Sequence, residues 1–279
     1  DLIFKGKDGG STITALTLDM SAAGLAIFAG GIQSTAGTIR LDGNFPVSTN
    51  NVALGDTAFQ SVTTASNNTC IGNAAGASVT ESNFNTVMGS TALDAQTTGG
   101  RNVAIGYAAL GADTTGGRST AVGFGALNTQ NFTGGQITYN TAIGYDALSA
   151  LTTGANNTAV GYNAGGAITT GAYNTAVGVD SLKTNTTGHT NVAIGYHALR
   201  LNTTGYHNVA IGASDNSSVG APLGANTEGR NNIAIGRGAL KANTTGKNNV
   251  AVGDDALGSN TTADKNTAVG KDAMNLNTT

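Results

Sequence analysis

Tryptophan is absent from this chain of 279 residues, and cysteine occurs once, at Cys70. A single cysteine excludes an intrachain disulfide, so cysteine usage does not report the redox compartment. Charged residues make up only 10% of the chain, and the formal net charge is -3. Because nucleic-acid and anionic-membrane binding depend on a strongly basic surface, this balance predicts no nucleic-acid partner.

Long apolar runs and catalytic constellations are missing as well. No run of about 18 apolar residues and no signal-peptide pattern occurs, so we predict no insertion into a membrane. Three histidines, His189, His197 and His207, fall at different places in the repeat described below. The adjacent pair Asp254 and Asp255 would face opposite sides of a strand. We therefore predict no catalytic residue, no metal site and no cofactor, and we do not expect an enzyme.

Glycine, in contrast, is abundant, with 42 residues, and it marks a repeat. A five-residue phrase, clearest at 102–106 (Asn-Val-Ala-Ile-Gly), recurs thirteen times. The closing glycines are 17 residues apart, except for steps of 21 after Gly123 and 24 after Gly212. A fixed short period is typical of a solenoid, and the two longer steps predict loop insertions. The closing glycine of each coil, numbered 0 below, is Gly55, Gly72, Gly89, Gly106, Gly123, Gly144, Gly161, Gly178, Gly195, Gly212, Gly236, Gly253 or Gly270.

The repeat predicts an all-β fold, a parallel β-solenoid (β-roll) of about thirteen 17-residue coils, each with two short strands and two turns. Positions -3 (Val, Ile or Thr) and -1 (aliphatic) share one strand face, and we expect them to point into the coil with the leucines at +4. Asparagine at -4 in twelve of thirteen copies predicts a ladder of side-chain amides. The recurring Thr-Thr-Gly at +8 to +10 predicts a turn whose glycine has a positive φ.

The chain divides into residues 1–46, an N-terminal β-strand neck or shaft segment, and 47–279, the repeat region. Short apolar runs at 2–4, 12–18, 25–28 and 38–41 are separated by glycine and small polar residues. They predict three or four short strands. Because the chain starts at Asp1 and stops within a repeat, we expect a fragment or a processed product.

Alanine fills position -2 in eleven of thirteen copies. This position alternates with -3 and -1, so we expect it on the outer face of the coil. A small apolar column there favours close packing against the same column of identical chains, in a parallel homotrimer. The alternative is that alanine fits a tight corner of the coil. The predicted seam residues are Ala104, Ala121, Ala142, Ala159, Ala176, Ala193 and Ala210.

Two features predict recognition of a partner, for which we expect a host cell-surface glycan or protein. Insertions in solenoids project as loops and often form binding faces. Aromatic residues recur at position +1, where they would stack as a ladder against sugar rings or pack between chains. The candidate contacts are Asn131 and Phe132 in the first insertion, Asn216 and Pro222 in the second, and Tyr107, Phe124, Tyr145, Tyr162 and Tyr196 at +1.

The phrase Asn-x-Ala-Ile/Val-Gly, followed by a small residue at +3, resembles the head repeat of YadA-like trimeric autotransporter adhesins over residues 50–279. Those heads are left-handed parallel β-rolls of three chains, and similar repeats are found in phage tail fibres. The opening stretch 1–19 resembles segments of phage fibre and neck proteins. The resemblance implies a structural rod of a phage tail fibre or virion appendage that mediates host attachment and is located in the virion.

Two alternatives stay open. The first is the head of a bacterial trimeric autotransporter adhesin, located at the bacterial cell surface, although the chain has no coiled-coil heptads. The second is an ice-binding β-solenoid, suggested by the threonine columns. Flat ice-binding faces alternate Thr-x-Thr along a strand, whereas the Thr-Thr-Gly phrase predicts a turn.

Overall fold

A computed structural model describes residues 2–8, 11–19, 25–27, 50–214 and 220–278. The chain divides into two units, Asp1–Leu41 and Asp42–Thr279. The regular elements of the described residues are all β-strands. These residues contain no helix, and therefore none with the length and hydropathy to cross a membrane.

The first unit contains a three-stranded antiparallel sheet of β1 (Leu2–Asp8), β2 (Ser11–Asp19) and β3 (Leu25–Ile27), in that order. Leu2 pairs with Leu18, and the register shifts between Phe4 and Lys5. Three of the predicted short strands are thus observed, and the run at 38–41 lies outside the described residues.

The second unit contains one parallel sheet of thirteen strands, in which each strand pairs with the next one along the chain. Equivalent positions face each other, as where Ala159 pairs with Ala142 on one side and Ala176 on the other. This in-register stacking confirms the predicted parallel β-solenoid. Its strands are β4 (Val52–Leu54), β5 (Thr69–Ile71), β6 (Thr86–Met88), β7 (Val103–Ile105), β8 (Thr120–Val122), β9 (Thr141–Ile143), β10 (Thr158–Val160), β11 (Thr175–Val177), β12 (Val192–Ile194), β13 (Val209–Ile211), β14 (Ile233–Ile235), β15 (Val250–Val252) and β16 (Thr267–Val269).

Each described coil has one three-residue strand rather than the two that we predicted. The segment after the closing glycine turns instead of extending, because Ala108 and Leu110, at +2 and +4, have φ values of 53° and 54°. The backbone of this segment still bonds between coils, as where Leu110 N–H donates to the Ala126 carbonyl at 3.0 Å. A side chain in this left-handed conformation costs roughly 1–2 kcal/mol. Full burial of the leucine, which contributes about 1.5–3 kcal/mol, offsets that cost.

The orientation that we predicted for the strands is wrong. Position -2 points into the coil, while -3 and -1 point outward, as in β7, where Ala104 is buried and its two neighbours are half-buried. The seven alanines of the predicted seam are all 0–1% exposed within a single chain, so they form the interior and not a contact between chains. The interior is narrow, because the buried residues at +3 and +4 already fill it, and alanine is the side chain that fits opposite them. The leucines at +4 are buried as predicted.

The outward columns at -3 and -1 form a continuous surface, aliphatic in every coil at -1 and valine, isoleucine or threonine at -3, which we call the outer strip. Its -3 column is Val52, Thr69, Thr86, Val103, Thr120, Thr141, Thr158, Thr175, Val192, Val209, Ile233, Val250 and Thr267. Its -1 column is Leu54, Ile71, Met88, Ile105, Val122, Ile143, Val160, Val177, Ile194, Ile211, Ile235, Val252 and Val269. At about 4.8 Å per coil, thirteen coils give a strip roughly 60 Å long.

The asparagine ladder at -4 is present as predicted. The side-chain Oδ1 of Asn174 accepts from the backbone N–H of Asn191 at 3.0 Å, while its Nδ2 donates to Asn157 Oδ1 at 3.2 Å and to the Gly188 carbonyl at 2.9 Å. A second amide ladder, which we did not predict, occupies position +7 from Asn185 onward, where Asn202 Nδ2 donates to Asn185 Oδ1 at 2.7 Å. Both ladders satisfy buried backbone groups at the corners of the coil.

Close approach between coils requires glycine at position 0 and favours it at +10, where Ala65, Ser82 and Ala263 show that a small side chain is accommodated in some coils. At Gly161, φ is 136°, and a Cβ would lie 2.7 Å from the Gly178 carbonyl oxygen of the next coil. The Thr-Thr-Gly glycine does not have the positive φ that we predicted. At Gly246 the constraint is again steric, since a Cβ would lie 2.7 Å from the Ala263 carbonyl oxygen.

Candidate functional site

Four of the five +1 aromatics form a continuous stack, which we call the +1 ladder: Tyr107, Phe124, Tyr145 and Tyr162. Their ring centroids are 5.1, 5.0 and 5.5 Å apart, and neighbouring planes differ by at most 18°. Each residue follows the closing glycine of its coil, so in-register stacking puts the rings one above another. All four rings are about half exposed in the single chain. Contact of this ladder with a glycan stays a prediction.

Tyr196 does not join this stack. Val179 occupies +1 in the coil between Tyr162 and Tyr196 and interrupts the column. The Tyr196 ring is only partly exposed and lies on His197, with ring centroids 3.8 Å apart.

Two of the four insertion residues that we predicted as contacts, Phe132 and Pro222, are buried. Phe132 is 3% exposed, so its ring belongs to the interior of the insertion. Asn131 is exposed, and its Oδ1 accepts from Thr114 Oγ1 at 2.9 Å. In the second insertion Pro222 is buried, and its carbonyl accepts from Leu199 N–H at 3.1 Å. Asn216 lies outside the described residues.

A second exposed column, which we did not predict, occupies position -5 of four consecutive coils: Phe84, Arg101, Arg118 and Tyr139. We call it the basic–aromatic column. The Arg101 guanidinium lies 5.3 Å from the Phe84 ring centroid, and that of Arg118 lies 5.6 Å from the Tyr139 centroid. Arg118 Nη1 also donates to the Tyr139 hydroxyl at 2.7 Å. Each cation is thus held against an aromatic ring, at opposite ends of the column.

This column uses side chains that its backbone does not favour. Position -5 is left-handed in every coil, with φ of 62° at Arg101 and 64° at Arg118. Five other coils have asparagine there, which tolerates that conformation best among residues with side chains. Those five are Asn50, Asn67, Asn156, Asn231 and Asn248. Four other coils also lack asparagine there, so the signal in the sequence that could have revealed the column was the pair of arginines in successive coils with an aromatic residue on each side.

A cavity of about 150 Å³ lies beside the two arginines. One wall comes from the Thr-Thr-Gly corners of two successive coils, and the other from the end of the first insertion. The insertion is held in place by backbone bonds, with Gly117 N–H donating to the Gln136 carbonyl and Thr138 N–H to the Gly117 carbonyl. The cavity is lined by Thr98, Gly99, Gly100, Arg101, Thr115, Gly117, Arg118, Gly135, Gln136 and Ile137.

A buried carboxylate lies behind this cavity. Asp113 accepts from Gly116 N–H at 3.0 Å and from Gln130 Nε2 at 2.7 Å, at the +7 position where later coils have asparagine. Desolvation raises the pKa of Asp113, although the hydrogen bonds from Gln130 and the backbone oppose that shift. The arrangement matches a structural corner, since the hydrogen-bond partners of Asp113 among the described residues are Gln130 and backbone N–H groups.

The remaining reactive residue types do not converge among the described residues. Burial raises the pKa of Cys70 to about 12, so this thiol stays protonated and unreactive at neutral pH. His189 stacks on Tyr206, while His197 lies 3.6 Å from a carboxylate oxygen of Asp180. Within the part of the chain that the structure describes, no three His, Cys, Asp or Glu residues are arranged to hold a metal ion.

Comparison with protein-family models, with curated proteins and with solved structures finds no match to this chain.

Proposed function

We propose that this chain is the β-solenoid rod of a phage tail fibre or a related virion appendage, that it assembles as a parallel homotrimer, and that it mediates attachment to a host surface. The observation that carries the proposal is the outer strip. Ile143, Ile194 and Ile235 are each 38–40% exposed in the single chain, and Met88 is 47% exposed. Soluble chains rarely leave a continuous apolar column of this length in water.

A parallel homotrimer covers the strip by symmetry. Equivalent residues recur once per coil along one line, so three identical strips meet at equal heights around a three-fold axis. The outer strip takes the place of the alanine column as the proposed seam, since the alanines are already buried within each chain.

The alternative of an autotransporter adhesin head uses the same trimeric rod, and the resemblance of residues 1–19 to phage fibre segments favours the virion. An ice-binding surface would instead leave the outer strip in water, and its threonines alternate irregularly with valine at -3. In all three cases the function is binding through a repetitive surface without catalysis, and the two trimeric rods add self-association.

The test compares an outward and an inward substitution in one strand. Wild-type protein should scatter light with three times the 27.5 kDa mass of the chain. Ile194→Lys should give a folded monomer, because three ammonium groups would meet at the axis, where burial of an unpaired charge is costly. Ala193→Arg should prevent folding, since Ala193 is fully buried inside the coil.

The matched control is Thr187→Lys, at an exposed Thr-Thr-Gly corner, which should stay trimeric. A wild-type monomer that is stable in solution would overturn the proposal, and thermal hysteresis by that monomer would favour the ice-binding function.

A further inference from the structure

We propose that the basic–aromatic column and the cavity beside it bind a saccharide that carries an anionic group. This proposal deepens the attachment function above and rests on it only for the biological source of the glycan. The site is separate from the +1 ladder, because the basic–aromatic column precedes the strand of each coil in sequence and the +1 ladder follows it.

The two arginines are placed to bind an anion, and no carboxylate of the described residues pairs with them. They occupy the same position in successive coils, so their backbones are about 4.8 Å apart, and Arg118 N–H donates to the Gly100 carbonyl. Three other cations of the repeat have carboxylate partners: Lys183 with Asp180 at 3.1 Å, Arg237 with Asp254 at 3.1 Å and Lys241 with Asp255 at 2.7 Å. No carboxylate oxygen of the described residues lies within 4 Å of the Arg101 or Arg118 guanidinium.

Each arginine is stabilised by its aromatic neighbour, but the pair keeps a repulsion that a bound anion would remove. Like charges directly opposite each other on neighbouring strands repel, and both residues have a left-handed backbone that asparagine adopts at lower cost. Burial does not offset this, because both arginines are exposed. A ligand anion between the two guanidiniums would accept hydrogen bonds from both and remove the repulsion.

The surroundings favour a sugar over a bare anion or a polyanion. Phe84 and Tyr139 present half-exposed rings at the two ends of the column, where the apolar face of a sugar ring can lie. The cavity of about 150 Å³ is the size that accepts one six-membered ring. Its walls offer the hydroxyl of Thr98 and the amide of Gln136 as partners for sugar hydroxyls, whereas the Thr115 hydroxyl is already hydrogen-bonded to the Phe132 carbonyl. Nucleic acid is disfavoured, because the net charge of the chain is -3.

Calorimetric titration of the full chain tests the proposal with three probes: tetragalacturonic acid, its neutral methyl ester and glucose 1-phosphate. We expect the acid to bind at least about tenfold more tightly than the ester, with an affinity that falls as salt is added. Tighter binding of glucose 1-phosphate than of the acid would identify a phosphorylated glycan, and the reverse a uronic or similar acid. Both results support the site.

The variant is Arg101→Asn with Arg118→Asn, which installs the residue that other coils have at this position and should therefore fold. It should weaken binding of the acid by about tenfold or more. Arg230→Asn is the matched control, because Arg230 also lies over a ring, 5.6 Å from the Tyr206 centroid, but does not line the cavity. A second comparison is the triple variant of Tyr107, Tyr145 and Tyr162 to serine. Both should bind the acid as the wild type does.

Binding of the ester as tightly as the tighter of the two anionic probes, unchanged binding of that probe by the double variant, or absence of binding by both anionic probes would overturn the proposal. A loss of binding in the serine triple variant alone would move the glycan to the +1 ladder. A drop in the mass of the double variant would assign the column to the contact between chains and would also overturn it. If the wild type is monomeric and still binds the acid, the saccharide site is supported and the trimeric rod is overturned.

Discussion

Replacement of one ladder asparagine, Asn174→Ala, should cost about 2–4 kcal/mol in the free energy of unfolding. The Asn174 side chain takes part in four hydrogen bonds: to the Gly188 carbonyl (2.9 Å), to Asn157 Oδ1 (3.2 Å), from the Asn191 backbone N–H (3.0 Å) and from Asn191 Nδ2 (3.2 Å). Alanine removes all four at once.

The loss in the free energy of unfolding is limited, because some hydrogen-bond partners of Asn174 keep another hydrogen bond in the variant. The Gly188 carbonyl still accepts from Asn185 Nδ2 at 2.8 Å, and Asn191 Nδ2 still donates to the Gly205 carbonyl at 2.9 Å. The Asn191 backbone N–H has no other acceptor among the described residues, and Asn191 is buried. One orphaned buried donor costs about 1–3 kcal/mol, and the lost net contribution of the other bonds adds about 1 kcal/mol.

The assay is urea unfolding followed by circular dichroism, together with amide hydrogen exchange at Asn191. We expect the variant to unfold at lower urea and the Asn191 amide to exchange faster than the amides of distant coils. Tyr173→Ser is the control, because Tyr173 is the residue before Asn174 and is 63% exposed, so its change should stay within about 0.5 kcal/mol. Equal stability of the two variants, with normal protection at Asn191, would refute the account of the ladder.

Two further predictions concern modularity and pH. Deletion of residues 158–174, one 17-residue coil, should leave a shorter folded rod, whereas deletion of 158–167 should break the register and unfold; equal melting temperatures would contradict the solenoid. Asp113→Asn should remove one source of the pH dependence of the free energy of unfolding. Because the pKa of Asp113 is raised in the folded state, its carboxyl ionises first in the unfolded chain as the pH rises through the ordinary aspartate range. The wild type should therefore lose stability relative to the variant until the folded carboxyl also ionises. Unfolding measured from about pH 3 to 7 should show a falling difference, and a flat one would exclude Asp113 as its source.

Periodicity by itself determined the architecture. Thirteen closing glycines at a near-constant step fix the number of coils, and in-register stacking follows because every coil offers its neighbour the same residues. The asparagine ladder was predictable for the same reason. A polar residue repeated at one position needs partners, and its own copies in adjacent coils provide them. The +1 stack of Tyr107, Phe124, Tyr145 and Tyr162 follows from the same geometry.

The direction of the side chains was decided only by the tertiary structure. Alternation along a strand separates -2 from -3 and -1, but both sets are apolar, so the pattern does not say which set faces inward. The width of the coil decides it: with Leu at +4 already filling the interior, -2 takes small side chains, alanine in eleven coils and Cys70 or Val87 in the other two, and the larger side chains at -1 face outward. The basic–aromatic column was likewise decided only by the tertiary structure. Phe84, Arg101, Arg118 and Tyr139 are 17 to 21 residues apart in sequence, and they become one surface because stacking brings position -5 of successive coils to the distance of adjacent strands.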